Sequence, residues 1–433
     1  MIKVGRFAKR SGPLLLLAIC IACGRRCEHR PNLLLVIVDT LAADHLSCYG
    51  YDRRTAPTVD SLAGEGLFFQ NLQAQAPWTL PAMASIYTGL TVRSHGCRQS
   101  EGVNWGLDPA VPTMATILSK EGFSTAGFVN VAFLGPVFGM SKGFDVFHWR
   151  IAGHGKAAQT VDEVIQWMDS EDFEEPFFLV FHVYDPHIPY EPPSPFDTLY
   201  CGEGINDHSD WETNEAGQFY PEQRTHLVDL YDSEIRWTDG QLSRLLGEIR
   251  SRGLADSTLL VFTADHGEEF LEHGAVTHGT NLYQNVIHVP MIICGPGIEP
   301  DTVSTVVGQY DILPTVLTYY GIEVPEHVEG IDLLGDSIPE ERPVPSSGVE
   351  MVSDSFQAAV RVEMDKVIWS PVGDVSESFD LRSDPSEQNP IPTDSVMLQL
   401  VLDYWATPCN YQPTNLEAPL IQNKTLRDLG YIR

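Results

Sequence analysis

Two acidic residues and a histidine stand at places in this sequence where side chains often bind a metal ion. Asp39 follows the apolar run at residues 33–38, and Asp265 and His266 follow a second run at residues 258–263. Two carboxylates and an imidazole at strand ends can converge on one divalent ion. An Asp after a strand is also a common turn or helix-capping residue. If the three side chains converge in the fold, a metal site is favoured over a turn or capping role for Asp39.

A threonine close to two prolines supplies a candidate nucleophile. Thr79 precedes Pro81, which suits the first turn of a helix, and Gly89 suits the end of that helix. Free N–H groups and the helix dipole favour an anion at such a helix start. A Thr hydroxyl needs a metal or a base to act as a nucleophile near pH 7. The alternative interpretation is that Thr79 is an ordinary N-cap residue.

Histidines and further acids follow in two polar loops. His187 lies in the stiff, proline-rich stretch 185–193, where an isolated histidine usually has a structural role. His278 and His273 lie in the polar stretch 265–278. This density of acids and imidazoles is typical of a metal or oxyanion site, and solvated polar loops share the same composition.

Apolar runs and helical segments alternate along the chain and must position these side chains. The runs occupy residues 33–38, 177–182, 258–263 and 289–294, and the helical segments include 58–66, 157–169 and 223–250. The alternation predicts an α/β fold with a doubly wound, mostly parallel sheet flanked by helices. Polar clusters just past the carboxyl ends of the strands are where such sheets place their sites.

The pattern changes after about residue 340. Short alternating segments at 356–369 and 372–381, followed by a helical segment at 398–405, predict a smaller antiparallel C-terminal subdomain. We therefore expect a catalytic domain at residues 31–340 and an α+β subdomain at residues 341–433.

Residues 1–30 have the composition of a secretory signal. A basic start precedes a ten-residue apolar run at residues 14–23, too short to span a bilayer core of about 30 Å. Cys23 follows Ile-Ala and precedes Gly, which resembles a bacterial lipoprotein cleavage site. We expect export to the periplasm or cell envelope. A lipid-anchored form tethered through Cys23 is one form that the sequence allows. The alternative is a short N-terminal anchor that is never cleaved.

The overall charge excludes one class of partner. The chain carries 27 Lys and Arg residues against 59 Asp and Glu residues, a net charge of −32. Such a balance repels nucleic acid, so a nucleic-acid-binding role is not expected. Eight cysteines are present, and those scattered beyond the N-terminal segment allow one or two disulfides whose pairing the sequence does not assign.

Five blocks of the sequence resemble the sulfatase family, a branch of the alkaline phosphatase superfamily. They occur in the same order as in the family, over about residues 31–335. The blocks are residues 39–50, 79–89, 185–193, 265–274 and 311–315. The resemblance implies an α/β core with a smaller C-terminal antiparallel domain. It also implies a metal-assisted attack on a sulfate or phosphate ester.

The chain departs from the family pattern at several positions. Thr79 stands where the family has the Cys or Ser that becomes formylglycine, and Thr cannot be converted by that route. Met83 stands where Arg is common, Thr40 replaces the paired Asp of many members, and His266 replaces a frequent Asn. The usual Lys of the Gly-Lys-Trp-His block has no match in the corresponding stretch, 127–130.

The implied metal-site set is Asp39, Thr79, Asp265 and His266. It is similar to Thr-nucleophile branches of the superfamily, which include phosphodiesterases, phosphonate hydrolases and phosphoethanolamine or glycerophosphate transferases. A mixed nitrogen and oxygen donor set with one hydroxyl favours a single Mn²⁺, Zn²⁺ or Mg²⁺ ion over Ca²⁺, which stays possible.

Three functions follow from these residues. The first is hydrolysis of a sulfate, phosphate or phosphonate ester through Thr79, with His187, His278 and Asn130 holding charged oxygens and one histidine protonating the leaving alcohol. The second is transfer of the Thr79-bound group to an alcohol. The third is a catalytically inactive protein that binds esters or glycans. The expected partner is a small-molecule, glycan or lipid ester. Without formylglycine, Thr79 chemistry favours phosphorus as the reacting centre.

Overall fold

A nine-stranded mixed sheet forms the centre of the computed structural model, which describes residues 30–100, 103–150, 156–200, 223–335, 337–349 and 356–416. The expected secretory signal with Cys23 lies outside the described residues and stays a prediction. The domain boundary expected near residue 340 also stays a prediction.

The elements follow one another in this order. The strands are β1 (Asn32–Val38), β2 (Leu67–Gln73), β3 (Arg98–Ser100), β4 (Val103–Gly106), β5 (Ser124–Val129), β6 (Val146–Trp149), β7 (Phe177–Val183), β8 (Thr258–Ala264), β9 (Glu269–Phe270), β10 (Val276–Thr277), β11 (His288–Cys294), β12 (Asp301–Val303), β13 (Val307–Gly308), β14 (Val344–Val349), β15 (Phe356–Val362), β16 (Asp365–Ser370), β17 (Val375–Asp380) and β18 (Thr414–Leu416). The helices are α1 (Pro57–Glu65), α2 (Thr79–Thr88), α3 (Val92–His95), α4 (Met114–Lys120), α5 (Ala157–Met168), α6 (Arg224–Ser251), α7 (Gln284–Ile287), α8 (Ile312–Tyr319) and α9 (Ser395–Ala406).

The large sheet has the strand order β12-β2-β11-β8-β1-β7-β5-β6, with β13 also pairing with β2. Strands β8, β1, β7, β5 and β6 are parallel, and β11 runs antiparallel to both β8 and β2. Every residue of β1, β7 and β8 is buried, because helices cover both faces of a parallel sheet. The predicted α/β class with a mostly parallel sheet is confirmed.

Strand register explains why residues far apart in sequence meet at one edge of this sheet. Val38 at the end of β1 pairs with Ala264 of β8 and with Val183 of β7. The residues that follow these strands, beginning with Asp39 and Asp265, must therefore emerge side by side at the carboxyl edge.

A second, smaller sheet lies towards the C-terminus and is antiparallel throughout, in the order β14-β15-β16-β17. Helix α9 packs on β15 and β16. A separate apolar cluster joins them: Ala358, Val360, Val367, Trp369 and Val401. The predicted antiparallel C-terminal sheet is thus present.

Two further features bear on the sequence-based expectations. Within the described part of the chain, Cys48, Cys97, Cys294 and Cys409 are free thiols. Among the helices that the structure describes, none is both long and apolar enough to cross a membrane.

Candidate active site

Asp39, Asp265 and His266 form a buried cluster at the carboxyl edge of the large sheet. Each side chain is fully buried, and one potential ligand atom from each lies within 4.8 Å of the others. His266 Nε2 is 3.5 Å from Asp39 Oδ1 and 3.4 Å from Asp265 Oδ2. The predicted convergence is therefore found, with two strands, β1 and β8, supplying all three residues.

Hydrogen bonds orient the donor atoms of this cluster. Asp265 Oδ1 accepts from the backbone N–H of Thr40 at 3.2 Å and from that of His266 at 2.8 Å. His266 Nδ1 lies 3.0 Å from the carbonyl oxygen of Gly267. That carbonyl can only accept, so Nδ1 carries the proton and Nε2 presents its lone pair. Asp265 Oδ2 and both Asp39 oxygens have no hydrogen-bond partner among the described residues.

The electrostatics of the cluster favour a bound cation. Burial raises the pKa of Asp39 well above its usual value, and the nearby carboxylates of Asp265, Glu268 and Asp185 raise it further. Burial likewise raises the pKa of Glu268 to about 8. A divalent ion would offset this accumulation of negative charge and occupy the unpartnered oxygens. The residues present therefore fit a metal ion held by carboxylate oxygen and imidazole nitrogen.

A sharp turn after β1 separates Asp39 from its neighbour. Thr40 has φ +55°, in the left-handed region that a residue of its type rarely adopts. Its backbone is held on both sides, because its N–H donates to Asp265 and its carbonyl accepts from the Tyr231 hydroxyl at 2.6 Å. Strain of this kind persists where surrounding contacts fix the conformation, and it clusters at functional sites.

Thr79 is the first residue of α2 and reaches the cluster with its hydroxyl. Its Oγ1 lies 3.4 Å from His266 Nε2, and the residue is 1% exposed. The N-cap position belongs to Trp78, and no side chain forms a capping hydrogen bond there. The interpretation of Thr79 as an ordinary N-cap is therefore wrong. The helix ends at Gly89 in the left-handed conformation, as the sequence predicted.

The two predicted catalytic histidines lie together beside His266. The His278 ring centroid is 4.3 Å from that of His266 and 4.8 Å from that of His187. His278 Nδ1 lies 3.0 Å from Glu268 Oε1, and His187 Nδ1 lies 2.6 Å from the carbonyl oxygen of Ile188. Burial, assisted by His266, lowers the pKa of His278 well below its usual value. Burial therefore disfavours the charged form of His278.

Asn130 and His273 have different surroundings. Asn130 follows β5, is 2% exposed, and neither atom of its amide has a hydrogen-bond partner among the described residues. The structure thus places it at the same sheet edge without joining it to the cluster. His273 stacks on Tyr283, with ring centroids 3.5 Å apart.

Two buried polar residues near the site were not predicted from the sequence. Glu268 accepts from the Tyr190 hydroxyl at 3.0 Å and contacts His278. His182 lies within β7, and its Nε2 is 3.9 Å from Asp39 Oδ2. The signal that could have revealed His182 is a polar residue inside an otherwise apolar strand.

Comparison with known proteins agrees with this geometry. The family model described as "Sulfatase" matches residues 31–322. The arylsulfatase of Clostridium perfringens is 24% identical over 434 residues, which covers 83% of this chain and 89% of that protein.

Two solved structures share the fold. One, bound to its substrate D-glucosamine-2-N,6-O-disulfate, superposes with a TM-score of 0.72 at 20% identity over 87% of this chain and 97% of its own. The phosphonate monoester hydrolase of Agrobacterium radiobacter gives a TM-score of 0.70 at 19% identity, over 87% and 94% of the two chains. With the family match over most of its length and its buried metal-site candidate, the chain belongs to the sulfatase family of ester hydrolases, within the alkaline phosphatase superfamily.

Proposed function

We propose that this protein is an exported, metal-dependent ester hydrolase whose nucleophile is Thr79. The observation that carries the proposal is the position of the Thr79 hydroxyl, 3.4 Å from His266 Nε2 at the start of α2. A hydroxyl that caps no helix, buried beside two carboxylates and an imidazole, has a chemical role more readily than a structural one.

The metal would be held by Asp39, Asp265, His266 and the Thr79 oxygen, and when bound it lowers the pKa of a hydroxyl and stabilises developing negative charge. Thr79 loses its proton to solvent and its Oγ1 bonds to sulfur or phosphorus as the bond to the leaving oxygen breaks. Water then cleaves the Thr79 ester and restores the hydroxyl.

His187 and His278 are suited to the leaving alcohol and to the charged oxygens of the ester. Nδ1 of each ring is engaged, by the Ile188 carbonyl and by Glu268 respectively, so contacts to substrate fall to Nε2. The Ile188 carbonyl keeps a proton on His187 Nδ1, so His187 Nε2 donates only in the imidazolium form, which would give the departing alkoxide its proton. A protonated Glu268 that donates to His278 Nδ1 would leave the neutral His278 ring with an Nε2–H for an ester oxygen.

The reacting centre is a sulfate ester or a phosphate or phosphonate ester. The names of the relatives support both, since they include an arylsulfatase, a protein whose substrate is a disulfated glucosamine, and a phosphonate monoester hydrolase. A sulfated or phosphorylated glycan or other small molecule is the proposed substrate class. Because Thr79 cannot form formylglycine, we expect faster turnover at phosphorus than at sulfur. Parallel assays with aryl sulfate, aryl phosphonate and phosphodiester substrates test that order.

Thr79→Ala tests the nucleophile directly. Loss of a nucleophile in comparable covalent mechanisms lowers turnover by about 10⁴- to 10⁶-fold, and Thr79→Ser should retain part of the activity. Thermal unfolding should change little, because the hydroxyl makes no capping bond.

Thr88→Ala is the matched control for this variant. Thr88 lies at the other end of α2, is fully buried, and donates to the Ala84 carbonyl at 2.6 Å. We expect Thr88→Ala to lower stability slightly and to leave turnover close to wild type. Near-native turnover of Thr79→Ala with metal supplied would overturn the mechanism.

Transfer to an alcohol and binding without turnover are the alternative functions of the same site. Dependence of product release on an added alcohol acceptor would indicate a transferase, and ester binding without turnover would indicate an inactive protein. Export is tested by the intact mass of protein from its native host. A mature chain beginning near Cys23 would support export, an added diacylglycerol mass would support a lipoprotein, and a retained N-terminus would contradict processing.

A further inference from the structure

His182 is a fully buried histidine whose imidazole has no hydrogen-bond partner at either nitrogen among the described residues. Leaving a buried polar group unsatisfied is unfavourable by about 1–3 kcal/mol. The other members of its strand are Phe, Leu and Val, which fill a core without that penalty. A polar ring at this position therefore needs a reason beyond packing.

The strand register turns His182 towards Asp39. His182 pairs with Ile37 in the parallel β1–β7 ladder. Side chains alternate along a strand, so His182, Ile37 and Asp39 share one face of the sheet. The His182 ring thus lies beside the Asp39 carboxylate on this face, with Nε2 3.9 Å from Oδ2.

The two oxygens of Asp39 are divided between two imidazoles. Oδ1 lies 3.5 Å from His266 Nε2, and Oδ2 lies 3.9 Å from His182 Nε2. His182 is not part of the group of ligand atoms that lie within 4.8 Å of one another, which comprises Asp39, Asp265 and His266. The contact of His182 with this group of ligand atoms is the one to Asp39 Oδ2.

We propose that His182 is a positioning residue that donates its Nε2 proton to Asp39 Oδ2 and so directs Oδ1 at the metal. The inference rests on the proposed metal site. A neutral imidazole carries one ring proton, which His182 can place on Nε2. The separation of 3.9 Å exceeds an ordinary hydrogen bond by about 1 Å, so the proposal requires the His182 ring and the Asp39 carboxylate to approach each other when the metal binds.

This arrangement has a general physical rationale. Carboxylates that bind metals are usually held by a hydrogen bond from a group outside the ligand shell, and loss of such a partner weakens metal binding about 10- to 100-fold. Asp39 has no other hydrogen bond to either oxygen among the described residues. His266 Nε2 lies nearer but presents a lone pair, so the donor that we assign to Asp39 is His182 Nε2.

The experiment measures zinc affinity of the full chain, stripped of metal, by competition with a chromophoric chelator. His182→Phe keeps the ring shape and removes both nitrogens, and we expect zinc binding weaker by about 10- to 100-fold. His182→Gln places an amide N–H near the position of Nε2 and should bind close to wild type. His182→Asn is too short to reach Asp39 and should be weakened like the Phe variant.

A matched control separates this effect from loss of any buried histidine. His95 is also fully buried and contacts Ser85 rather than Asp39, so His95→Phe should leave zinc affinity unchanged. Wild-type zinc affinity in His182→Phe or His182→Asn would overturn the inference. So would a Gln variant as weak as the Asn variant, which would show that shape rather than the donor matters. The Asn–Gln pair decides the question even if the Phe variant does not fold.

The readout distinguishes this inference from the proposed function. Zinc affinity is measured without turnover, so unchanged affinity in the His182 variants would leave the Thr79 chemistry intact. Failure of the wild-type chain to bind zinc or Mn²⁺ would instead remove the metal site on which both depend.

Discussion

Buried charge is treated in opposite ways at the two sheets of this molecule. At the small sheet, Lys366 and Glu387 form a fully buried ion pair at 2.6 Å, and Lys366 also donates to the Leu282 carbonyl at 2.6 Å. At the edge of the large sheet, the carboxylates of Asp39 and Asp265 face one another and lack cationic Lys or Arg partners among the described residues.

The same contrast exists within the catalytic fold itself. Asp311 is fully buried, like Asp39, yet Arg342 donates to both of its oxygens at 2.7 and 2.8 Å. Glu387 and Asp311 are therefore each neutralised by a cationic partner in the chain. The carboxylates of Asp39 and Asp265 have no such partner among the described residues and would be neutralised by a bound cation. This difference distinguishes acids of the candidate site from acids that only stabilise the fold.

Asp39→Asn should give the largest effect and would break the comparison if it did not. Removing a ligand of the proposed metal should lower turnover by roughly a thousandfold or more. The free energy of unfolding of the metal-free protein should rise, because burial and the neighbouring carboxylates raise the pKa of Asp39 and a neutral amide avoids that penalty.

The paired acid supplies the control for that variant. Asp311→Asn should lower the free energy of unfolding, because it leaves the largely buried Arg342 guanidinium without its anion. Denaturant unfolding and turnover assays on both variants check the result. Equal loss of stability in the two would contradict the distinction.

Lys366→Met should give the next largest effect, a loss of stability. Removing one partner of a buried ion pair typically lowers the free energy of unfolding by about 3–5 kcal/mol. Replacing Lys366 and Glu387 together by apolar residues should recover much of that loss. Urea unfolding of the single and double variants measures both, and a single variant as stable as wild type would show that the pair contributes nothing.

The metal-free protein should become less stable as the pH rises from about 4.5 to 8. The raised pKa values of Asp39 and Glu268 mean that the folded state keeps protons which the unfolded chain has lost. Each pKa unit of difference corresponds to about 1.4 kcal/mol. Saturating zinc should restore stability, and more so at pH 8 than at pH 5, because the ligands must be deprotonated.

Thermal unfolding with chelator and with zinc at both pH values checks this dependence. Glu268→Gln isolates one contribution and should give a shallower fall. If that variant kept the full wild-type slope, the Glu268 carboxyl would not be its source.

The smallest effect should come from Asp394→Ala. The Asp394 carboxylate caps α9 by accepting from the backbone N–H groups of Val396 and Met397. Its loss should lower the free energy of unfolding by about 1 kcal/mol. Turnover should not change, and a fall in turnover would show that α9 influences the active site.

Local pattern was sufficient to predict much of the fold. Strands β1, β7 and β8 and helices α5 and α6 follow from apolar runs and helical periodicity, which depend only on neighbouring residues. The direction of β11 could not be predicted, because a buried run has the same appearance whether parallel or antiparallel.

The site was predictable where polar residues end a strand and not where they lie inside one. Asp39 and Asp265 were found because they follow apolar runs. His182 was missed because its meaning depends on the register between β7 and β1, which brings it beside Asp39. Thr79 was ambiguous for a similar reason, since its contact with His266 joins residues 187 positions apart.

The segment just after His278 is held by residues that the ribosome makes much later. Lys366 fixes the Leu282 carbonyl, Glu387 accepts from the Gln284 backbone N–H at 2.5 Å, and the Tyr283 hydroxyl donates to Glu377 at 2.7 Å. During synthesis, Asp39 and Thr79 emerge first, but the anchors of the His278 segment emerge more than a hundred residues after them. In an unfinished chain Thr79 is therefore present before the segment after His278 is fixed, and full assembly of the candidate site waits for the C-terminal sheet.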